Sequence, residues 1–125
     1  MQLETAERTA LATALLARLD GASSYAYMTV CDDTTVIVTF TLPKPSLSIA
    51  NGVMSLLGGP YSDTAVASGT IDRVKFYDSD DTLRMTAGAG ETGSGKDFIF
   101  TNCTVNSGQT VGITSGTITV PAGSI

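Results

Sequence analysis

Residues 71–90, IDRVKFYDSDDTLRMTAGAG, have the pattern of two β-strands that are joined by a short acidic turn. Side chains of a strand alternate between its faces, so Val74 and Phe76 share one face of the first strand. The other face carries Arg73, Lys75 and Tyr77. Asp and Ser favour turns, and residues 78–81 (DSDD) are therefore expected to reverse the chain. This stretch predicts a β-hairpin at the centre of a small β core, with Val74 and Phe76 inside.

The length and composition of the chain indicate one small domain, residues 1–125. A chain of 125 residues can bury a core without a metal or a disulfide. The net charge is −5 and no basic cluster occurs, so neither nucleic acid nor an anionic membrane surface is an expected partner. No signal-peptide pattern and no membrane-spanning apolar run is visible, which predicts a soluble protein that is made in the cytosol.

Side chains that commonly perform catalysis or bind metals are scarce. The chain has no histidine, which removes the commonest general base and excludes Ser-His and Cys-His nucleophiles. Cys31 and Cys103 lack the spacing of a zinc site. We interpret them as small buried hydrophobes, and the sequence leaves open whether they pair. We therefore predict no catalytic, cofactor-binding or metal-binding residue.

A glycine-rich segment, residues 90–96 (GETGSGK), matches the phosphate-binding P-loop pattern as far as its lysine. That pattern requires Ser or Thr next, whereas Asp97 follows here. A P-loop also runs into a helix, whereas residues 98–100 (FIF) indicate a strand, so we expect a connection between β-strands. The acidic turn does not match a calcium loop either, because Leu83 and Ala89 occupy the places of the required glycine and glutamate.

Residues 3–19 (LETAERTALATALLARL) predict the one helix of the chain. Its apolar side chains recur near one stripe at helical spacing. These are Leu3, Ala6, Ala10, Leu11, Leu15 and Leu19. Gly21 marks the expected end. The stripe is rich in alanine and weakly hydrophobic, so it is equally compatible with packing on the protein's own sheet and on a neighbouring subunit.

Segments 24–31 and 34–42 predict another hairpin, with its turn at Asp32-Asp33. In the second of these strands, one face carries only apolar residues, and the other carries Thr35, Ile37, Thr39 and Thr41. We expect its core face to carry Val36, Val38, Phe40 and Leu42. Asn51-Gly52 predicts a third hairpin, because both residues accept the positive φ that a tight turn requires.

The last strand, residues 109–120, shows a change of phase. Its apolar residues lie first at odd and then at even positions. They are Val111, Ile113, Ile118 and Val120. One extra residue near Ser115-Gly116 would keep all of them on the core face, so we predict a β-bulge or kink there. Pro121 is expected to end the strand.

The pattern over residues 24–121 as a whole predicts the fold class. About eight short strands alternate with turn signals at regular intervals. We therefore predict a mainly β protein: a single-domain antiparallel β-sandwich, jelly-roll-like or immunoglobulin-like, preceded by one N-terminal α-helix.

The order of these motifs resembles a family of small proteins encoded among the virion structural genes of tailed bacteriophages and prophages. The matching segments are residues 50–53 (ANGV), 73–80 (RVKFYDSD) and 107–121 (SGQTVGITSGTITVP). The resemblance spans most of the chain, and Asp72 and Asp81 depart from it. It implies a virion component that is made in the host cytoplasm.

Among virion components, a small, acidic, β-rich chain of this type favours a non-enzymatic capsid decoration or cement protein. It would bind the major capsid protein or other virion proteins, and we expect a homo-oligomer, with a trimer favoured, because clustering at a symmetry axis adds avidity. The alternatives are a tail, tail-fibre or head-fibre component and a host-surface adhesin. A small NTP-binding or hydrolytic enzyme is an alternative of a different class, supported only by residues 90–96.

Two groups of side chains are candidate partner contacts. Tyrosine offers a large contact area with a polar tip and is enriched at protein interfaces. The candidates on the strands are Tyr25, Tyr27, Arg73, Lys75 and Tyr77, and those on the helix are Leu11 and Leu15.

Overall fold

The computed structural model describes residues 1–21 and 23–120, and these form one helix followed by eleven strands. The helix, α1, spans Thr5–Asp20. The strands are β1 (Tyr27–Asp32), β2 (Thr35–Thr41), β3 (Leu47–Ala50), β4 (Val53–Leu56), β5 (Ser62–Thr64), β6 (Gly69–Thr70), β7 (Arg73–Tyr77), β8 (Leu83–Gly90), β9 (Phe98–Phe100), β10 (Thr104–Val105) and β11 (Thr110–Thr119). The expected strand end at Pro121 lies outside the described residues. Within the described part of the chain, no helix has the length and apolar character needed to cross a membrane.

A nine-stranded curled sheet forms most of the molecule. Its strand order is β2-β1-β7-β8-β9-β11-β4-β3, and β5 pairs with β11 beside this path. β6 and β10 form a separate two-stranded sheet. The predicted mainly β fold with one N-terminal helix is confirmed. The prediction of purely antiparallel pairing is wrong, because β8 and β9 are parallel and the sheet is therefore mixed.

The parallel pair is possible because it overlaps only briefly. Ala89 pairs with Phe98, and Gly90 pairs with Ile99. A parallel neighbour normally requires a long crossover that returns the chain to the start of the first strand. Here β9 begins beside the end of β8, so residues 91–97 need only to cross one strand spacing.

The hairpin of β7 and β8 lies within the sheet, as predicted. β7 lies between β1 and β8. Val74 pairs with Ala87 and Phe76 with Met85 across the hairpin. Val74 and Phe76 are fully buried. The Phe76 ring also packs against the Phe98 ring, with centroids 5.6 Å apart, so the hairpin contacts β9 through the core.

The hairpin of β1 and β2 is confirmed, but the predicted core face of β2 is wrong in part. Val30 pairs with Val38, whereas Cys31 pairs with Val36, so Ile37 is an extra residue that forms a β-bulge. Beyond the bulge the alternation is reversed. Ile37 is fully buried and Val36 is 40% exposed. In the sequence, Val36, Ile37 and Val38 form an apolar run, which does not show which of them is the extra residue.

The predicted Asn51-Gly52 turn is confirmed. Ala50 of β3 pairs with Val53 of β4, so the turn has two residues. Asn51 and Gly52 have φ angles of 53° and 77°, as a primed hairpin turn requires.

The predicted bulge in β11 is also confirmed. Ile113 pairs with Phe100, whereas Ser115 pairs with Ile99, so Thr114 is the extra residue. The bulge restores the phase of the strand. The residues that belong to the core or pack against it are Val111, Ile113, Ile118 and Val120.

The helix α1 packs on the protein's own sheet, which was one of the two predicted alternatives. The Thr9 hydroxyl oxygen accepts a hydrogen bond from the Gly52 N–H at 2.9 Å. At the other end of the helix, an Asp20 carboxylate oxygen accepts the Ser46 N–H at 2.9 Å. Ser46 and Gly52 lie at opposite ends of β3, so α1 runs antiparallel to that strand.

The predicted apolar stripe of α1 is correct only in part. The side chains that pack into the core are Ala12, Leu15, Leu16 and Leu19. Three members of the predicted stripe are exposed instead: Ala6, Ala10 and Leu11. Alanines occur around much of this helix, so its periodicity defines the packing face poorly. The hydrogen bonds of Thr9 and Asp20 orient the helix, and no hydropathy pattern encodes them.

Substitution of Phe76 by alanine tests the role of β7 in the core. We expect Phe76→Ala to lower the free energy of unfolding by about 3–5 kcal/mol, because it leaves a cavity between β7 and β9. Denaturant unfolding measures the change. Tyr25→Ala is the matched control, since the Tyr25 side chain is 58% exposed and its loss should cost far less. Equal effects of the two substitutions would contradict this account of the core.

Candidate partner-binding surface

The outer face of β2, β1, β7 and β8 brings aromatic side chains into one row. Tyr27 of β1 pairs with Thr41 of β2 on one side and with Tyr77 of β7 on the other. Tyr77 pairs in turn with Leu83 of β8. The Tyr27 and Tyr77 rings are stacked, with centroids 5.1 Å apart and an interplanar angle of 11°. The two rings therefore form one compact aromatic pair.

The acidic turn holds one of these rings in place. The Tyr27 hydroxyl donates a hydrogen bond of 2.7 Å to a carboxylate oxygen of Asp81. This hydrogen bond, followed by partial burial and the negative charge of Asp81, raises the pKa of Tyr27 to about 12. The phenol is therefore neutral at physiological pH and acts as a donor. Asp81 has a φ of 64° in the turn, which favours a short polar residue.

Two cations lie beside the tyrosine pair on β7. The Arg73 guanidinium contacts a carboxylate oxygen of Asp72 at 3.0 Å and one of Asp33 at 3.3 Å. The Arg73 hydrogen bond is the main reason why the pKa of Asp72 is lowered. Lys75 pairs with Thr29 and lies between the Arg73 and Tyr77 positions of the strand. Lys75 has no ion-pair partner among residues 1–21 and 23–120, so its charge is available to a partner.

The structure places the predicted contact residues in three locations. The outer face brings together Tyr27, Arg73, Lys75 and Tyr77. Tyr25 is 58% exposed and lies apart from them, beside an apolar groove of about 410 Å³ that Pro43 and Tyr61 also line. Leu11 is 51% exposed on α1, whereas Leu15 packs against the core. The outer face is therefore the only one of these locations that combines several predicted residues. We call it the tyrosine face.

Sequence reasoning missed several members of the tyrosine face. Asp81 was interpreted only as a turn residue, although its carboxylate accepts the Tyr27 hydroxyl. Leu83, which is 47% exposed, was assigned to the return strand without a facing direction. A shift in register between Phe76 and Tyr77 places Leu83 opposite Tyr77, and alternation alone could not have indicated it.

The acidic turn itself is held by Asp78. The Asp78 side chain is almost fully buried, and its carboxylate accepts hydrogen bonds from the backbone N–H groups of Thr82 and Asp80. Arg84 contributes an ion pair with an N–O distance of 2.8 Å. The Thr82 hydrogen bond is the first cause of the lowered pKa of Asp78, and Arg84 adds to it. Asp78 therefore stabilises the turn that positions Asp81.

Neither of the two ligand patterns in the sequence has the geometry of a site. The glycine-rich segment continues directly into β9, as expected, so no helix N-terminus follows it. Residues 91–97 are exposed, and the Lys96 side chain lies against Gly88 and Gly90 of β8. Within the described ranges, no group of three or more His, Cys, Asp or Glu side chains is arranged to hold a metal ion.

The two cysteines are separate buried thiols. Cys31 and Cys103 are both buried and unpaired, which confirms their interpretation as small hydrophobes. The Cys31 sulfur lies 3.3 Å from the Thr29 hydroxyl oxygen. Burial, assisted by the Glu91 carboxylate, raises the pKa of the Cys103 thiol and keeps it protonated.

Comparison with protein-family models, with curated proteins and with solved structures finds no match to this chain.

The hydrogen bond between Tyr27 and Asp81 predicts that Tyr27 loses its proton at a higher pH than an ordinary tyrosine. The folded protein holds the Tyr27 proton up to a pKa of about 12, against about 10 in an unfolded chain. The raised pKa contributes to the stability of the folded protein. This contribution is complete below the Tyr27 pKa of the unfolded chain and is lost as the pH rises through the pKa of the folded protein. Tyrosinate absorbance should show that Asp81→Asn lowers this pKa, whereas Asp63→Asn on β5 leaves it unchanged. An unchanged titration in Asp81→Asn would exclude the contact.

The buried carboxylate of Asp78 predicts acid sensitivity. Its pKa is lowered in the fold, so its stabilising effect is complete above the unfolded value of about 3.9 and is lost as the pH falls through the lower folded value. Asp78→Asn should unfold at lower denaturant concentration at neutral pH, and its difference from the wild type should narrow in acid. Asp80→Asn, the same change at an exposed position of the turn, should behave like the wild type. A difference that does not depend on pH would argue against the proposed role of Asp78.

Proposed function

We propose that this protein is a non-enzymatic structural component of a tailed-phage virion, a capsid decoration protein that docks on the shell of major capsid protein through its tyrosine face. The virion context comes from the resemblance of the sequence motifs. The main observation that supports this docking surface is the stacked pair of Tyr27 and Tyr77 beside the unpaired cation of Lys75.

The tyrosine face has the physical properties of a contact surface. Binding energy at protein interfaces concentrates in a few aromatic and cationic side chains, since these bury a large area and retain polar tips. Tyr27 and Tyr77 are already ordered by stacking, and Tyr27 also by its hydrogen bond to Asp81. Little side-chain entropy remains to be lost when a partner covers them. A rigid sheet supports the whole row.

Charge indicates what the partner presents at this surface. The protein has a net charge of −5, so a partner of similar charge is repelled over most of the molecule. Lys75 places one positive charge next to the aromatic pair. We infer that the capsid surface presents a carboxylate opposite Lys75 and apolar or aromatic groups opposite the tyrosines. Such complementarity would orient the docked protein more than it would strengthen binding.

We infer that the protein acts as a homo-oligomer, with a trimer favoured. Several copies at a capsid symmetry axis bind with higher avidity than one copy. The support for a self-contact is Leu11 on α1, an apolar side chain that is 51% exposed.

We further infer that the curled sheet corresponds to a jelly-roll-like or immunoglobulin-like sandwich. The support is that the curl brings distant parts of the sheet together. The Val66 N–H, next to β5, donates to the Ile37 carbonyl of the edge strand β2 at 2.8 Å.

Co-sedimentation with purified empty capsids tests the docking surface. We expect the wild-type protein to pellet with capsids and Lys75→Glu to bind at least about tenfold more weakly, because the substitution replaces attraction by repulsion. Lys96→Glu is the matched control, since it makes the same charge change on the exposed glycine-rich loop. It should bind like the wild type.

The possible outcomes separate the alternatives. If the wild-type protein does not bind capsids, the decoration role is wrong, and binding to purified tails or to host cells would favour a tail component or an adhesin. If Lys75→Glu and Lys96→Glu bind equally well, the protein decorates the capsid through another surface. Thermal unfolding of both variants checks that they are folded.

A further inference from the structure

The turn between β3 and β4 combines an exposed asparagine with a following glycine. The Asn51 side chain is exposed, and its amide has no hydrogen-bond partner among the described residues. Gly52 carries no side chain that could shield its backbone nitrogen. Asparagine followed by glycine is the pair in which the backbone nitrogen reaches the side-chain carbonyl most easily.

Three parts of the chain meet at Gly52. Its N–H donates to the Thr9 hydroxyl oxygen of α1 at 2.9 Å. Its carbonyl oxygen accepts the Val120 N–H, which follows β11, at 2.9 Å. A Cβ at this position would lie 2.9 Å from the Arg8 Cβ, so the helix backbone is held directly against the turn.

We propose that Asn51 is a modification site, at which spontaneous deamidation converts the asparagine to isoaspartate or aspartate, and that the docking of α1 through Thr9 controls the rate. The inference goes beyond the proposed docking function and does not depend on it. The turn lies at the opposite end of the sheet path from the tyrosine face.

The reaction uses only water and base. The Gly52 nitrogen loses its proton to hydroxide and attacks the side-chain carbonyl carbon of Asn51. A new C–N bond forms, the bond to the side-chain nitrogen breaks, and ammonia leaves after taking a proton from water. The resulting succinimide is opened by water at one of its two carbonyl carbons. One product is aspartate, and the other is isoaspartate, in which the main chain passes through the former side chain.

The hydrogen bond to Thr9 opposes this reaction in two ways. While the Gly52 N–H donates to the Thr9 oxygen, its proton is shielded from hydroxide and stays on the nitrogen. It also fixes the orientation of the peptide between Asn51 and Gly52, which must rotate before the nitrogen can reach the side-chain carbon. Pairing of Ala50 with Val53 resists the same rotation. Attack therefore requires a local opening in which α1 leaves the turn.

The product would prevent α1 from docking again. Isoaspartate adds one methylene to the main chain of a turn that has room for only two residues. The Gly52 N–H and carbonyl would then no longer face Thr9 and Val120 together. The fraction of modified protein would thus increase with the frequency at which α1 opens.

Peptide mapping by mass spectrometry measures the rate at position 51 after incubation of the full-length protein at mildly alkaline pH. Isoaspartyl methyltransferase detects the isoaspartate product. We expect slow reaction in the wild-type protein and a rate about two- to tenfold higher in Thr9→Val, which keeps the shape of the side chain but removes the acceptor. The denatured chain should react fastest, since nothing restrains its turn.

Three comparisons make the test decisive. Thr9→Ser keeps the hydroxyl acceptor and should restore the slow rate, which separates the hydrogen bond from a general loss of structure. Thr13→Val makes the same substitution one turn further along α1 and should match the wild type. Asn102 and Asn106 serve as internal references in the same digest.

Equal rates for the wild type and Thr9→Val would overturn control by α1. A denatured chain in which Asn51 reacts no faster than Asn102 would overturn the site itself.

Discussion

The burial of Val74 and Phe76 on β7 is the constraint on which the rest of the structure depends. β7 pairs with β1 on one side and β8 on the other, and burying each such apolar side chain contributes roughly 1.5–3 kcal/mol. Once these two residues face the core, Arg73, Lys75 and Tyr77 must face outwards, because the side-chain period of a strand is two. The same short strand therefore determines both the interior of the protein and its proposed contact surface.

The tyrosine face is ordered by the acidic turn as well as by the sheet. Asp78 is a buried carboxylate that is satisfied by the backbone of its own turn and by Arg84. The turn then places Asp81 where it accepts the Tyr27 hydroxyl, and Tyr27 stacks on Tyr77. Acidic residues that resemble a metal loop in the sequence thus orient an aromatic surface. Such ordering before binding is what distinguishes a docking surface from scattered exposed aromatics.

The far end of the sheet path is held together in a different way. There α1 is attached through Ala12, Leu15, Leu16 and Leu19, which pack in the core. Thr9 and Asp20 also accept hydrogen bonds from the backbone N–H groups at the two ends of β3. If Asn51 is the proposed deamidation site, slow opening of α1 at this end of the sheet would precede the reaction.

Much of this structure could be predicted from short-range chemistry. The hairpin of β7 and β8, the Asn51-Gly52 turn and the bulge in β11 each depend on alternation or on turn residues that lie close together in the chain. The bulge at Ile37 and the packing side of α1 could not be predicted. The apolar run Val36-Ile37-Val38 does not show which residue is extra, and alanines occur around much of the helix. The parallel pairing of β8 with β9 depends on the path of residues 91–97, and no local sequence pattern predicts that path.

The sequence by itself determined the N-terminal helix, through its helical spacing, and the core residues of β7 and the shared face of Arg73, Lys75 and Tyr77, through the strand period of two. It predicted about eight strands, whereas the described residues form eleven, because the shortest strands carry no pattern of their own. Only the tertiary structure decided that Tyr27 stacks on Tyr77, that Asp81 holds Tyr27, and that Leu15 belongs to the core while Leu11 does not. These outcomes depend on strand register and on the docking of a helix, and both are set by contacts between residues that are distant in the chain.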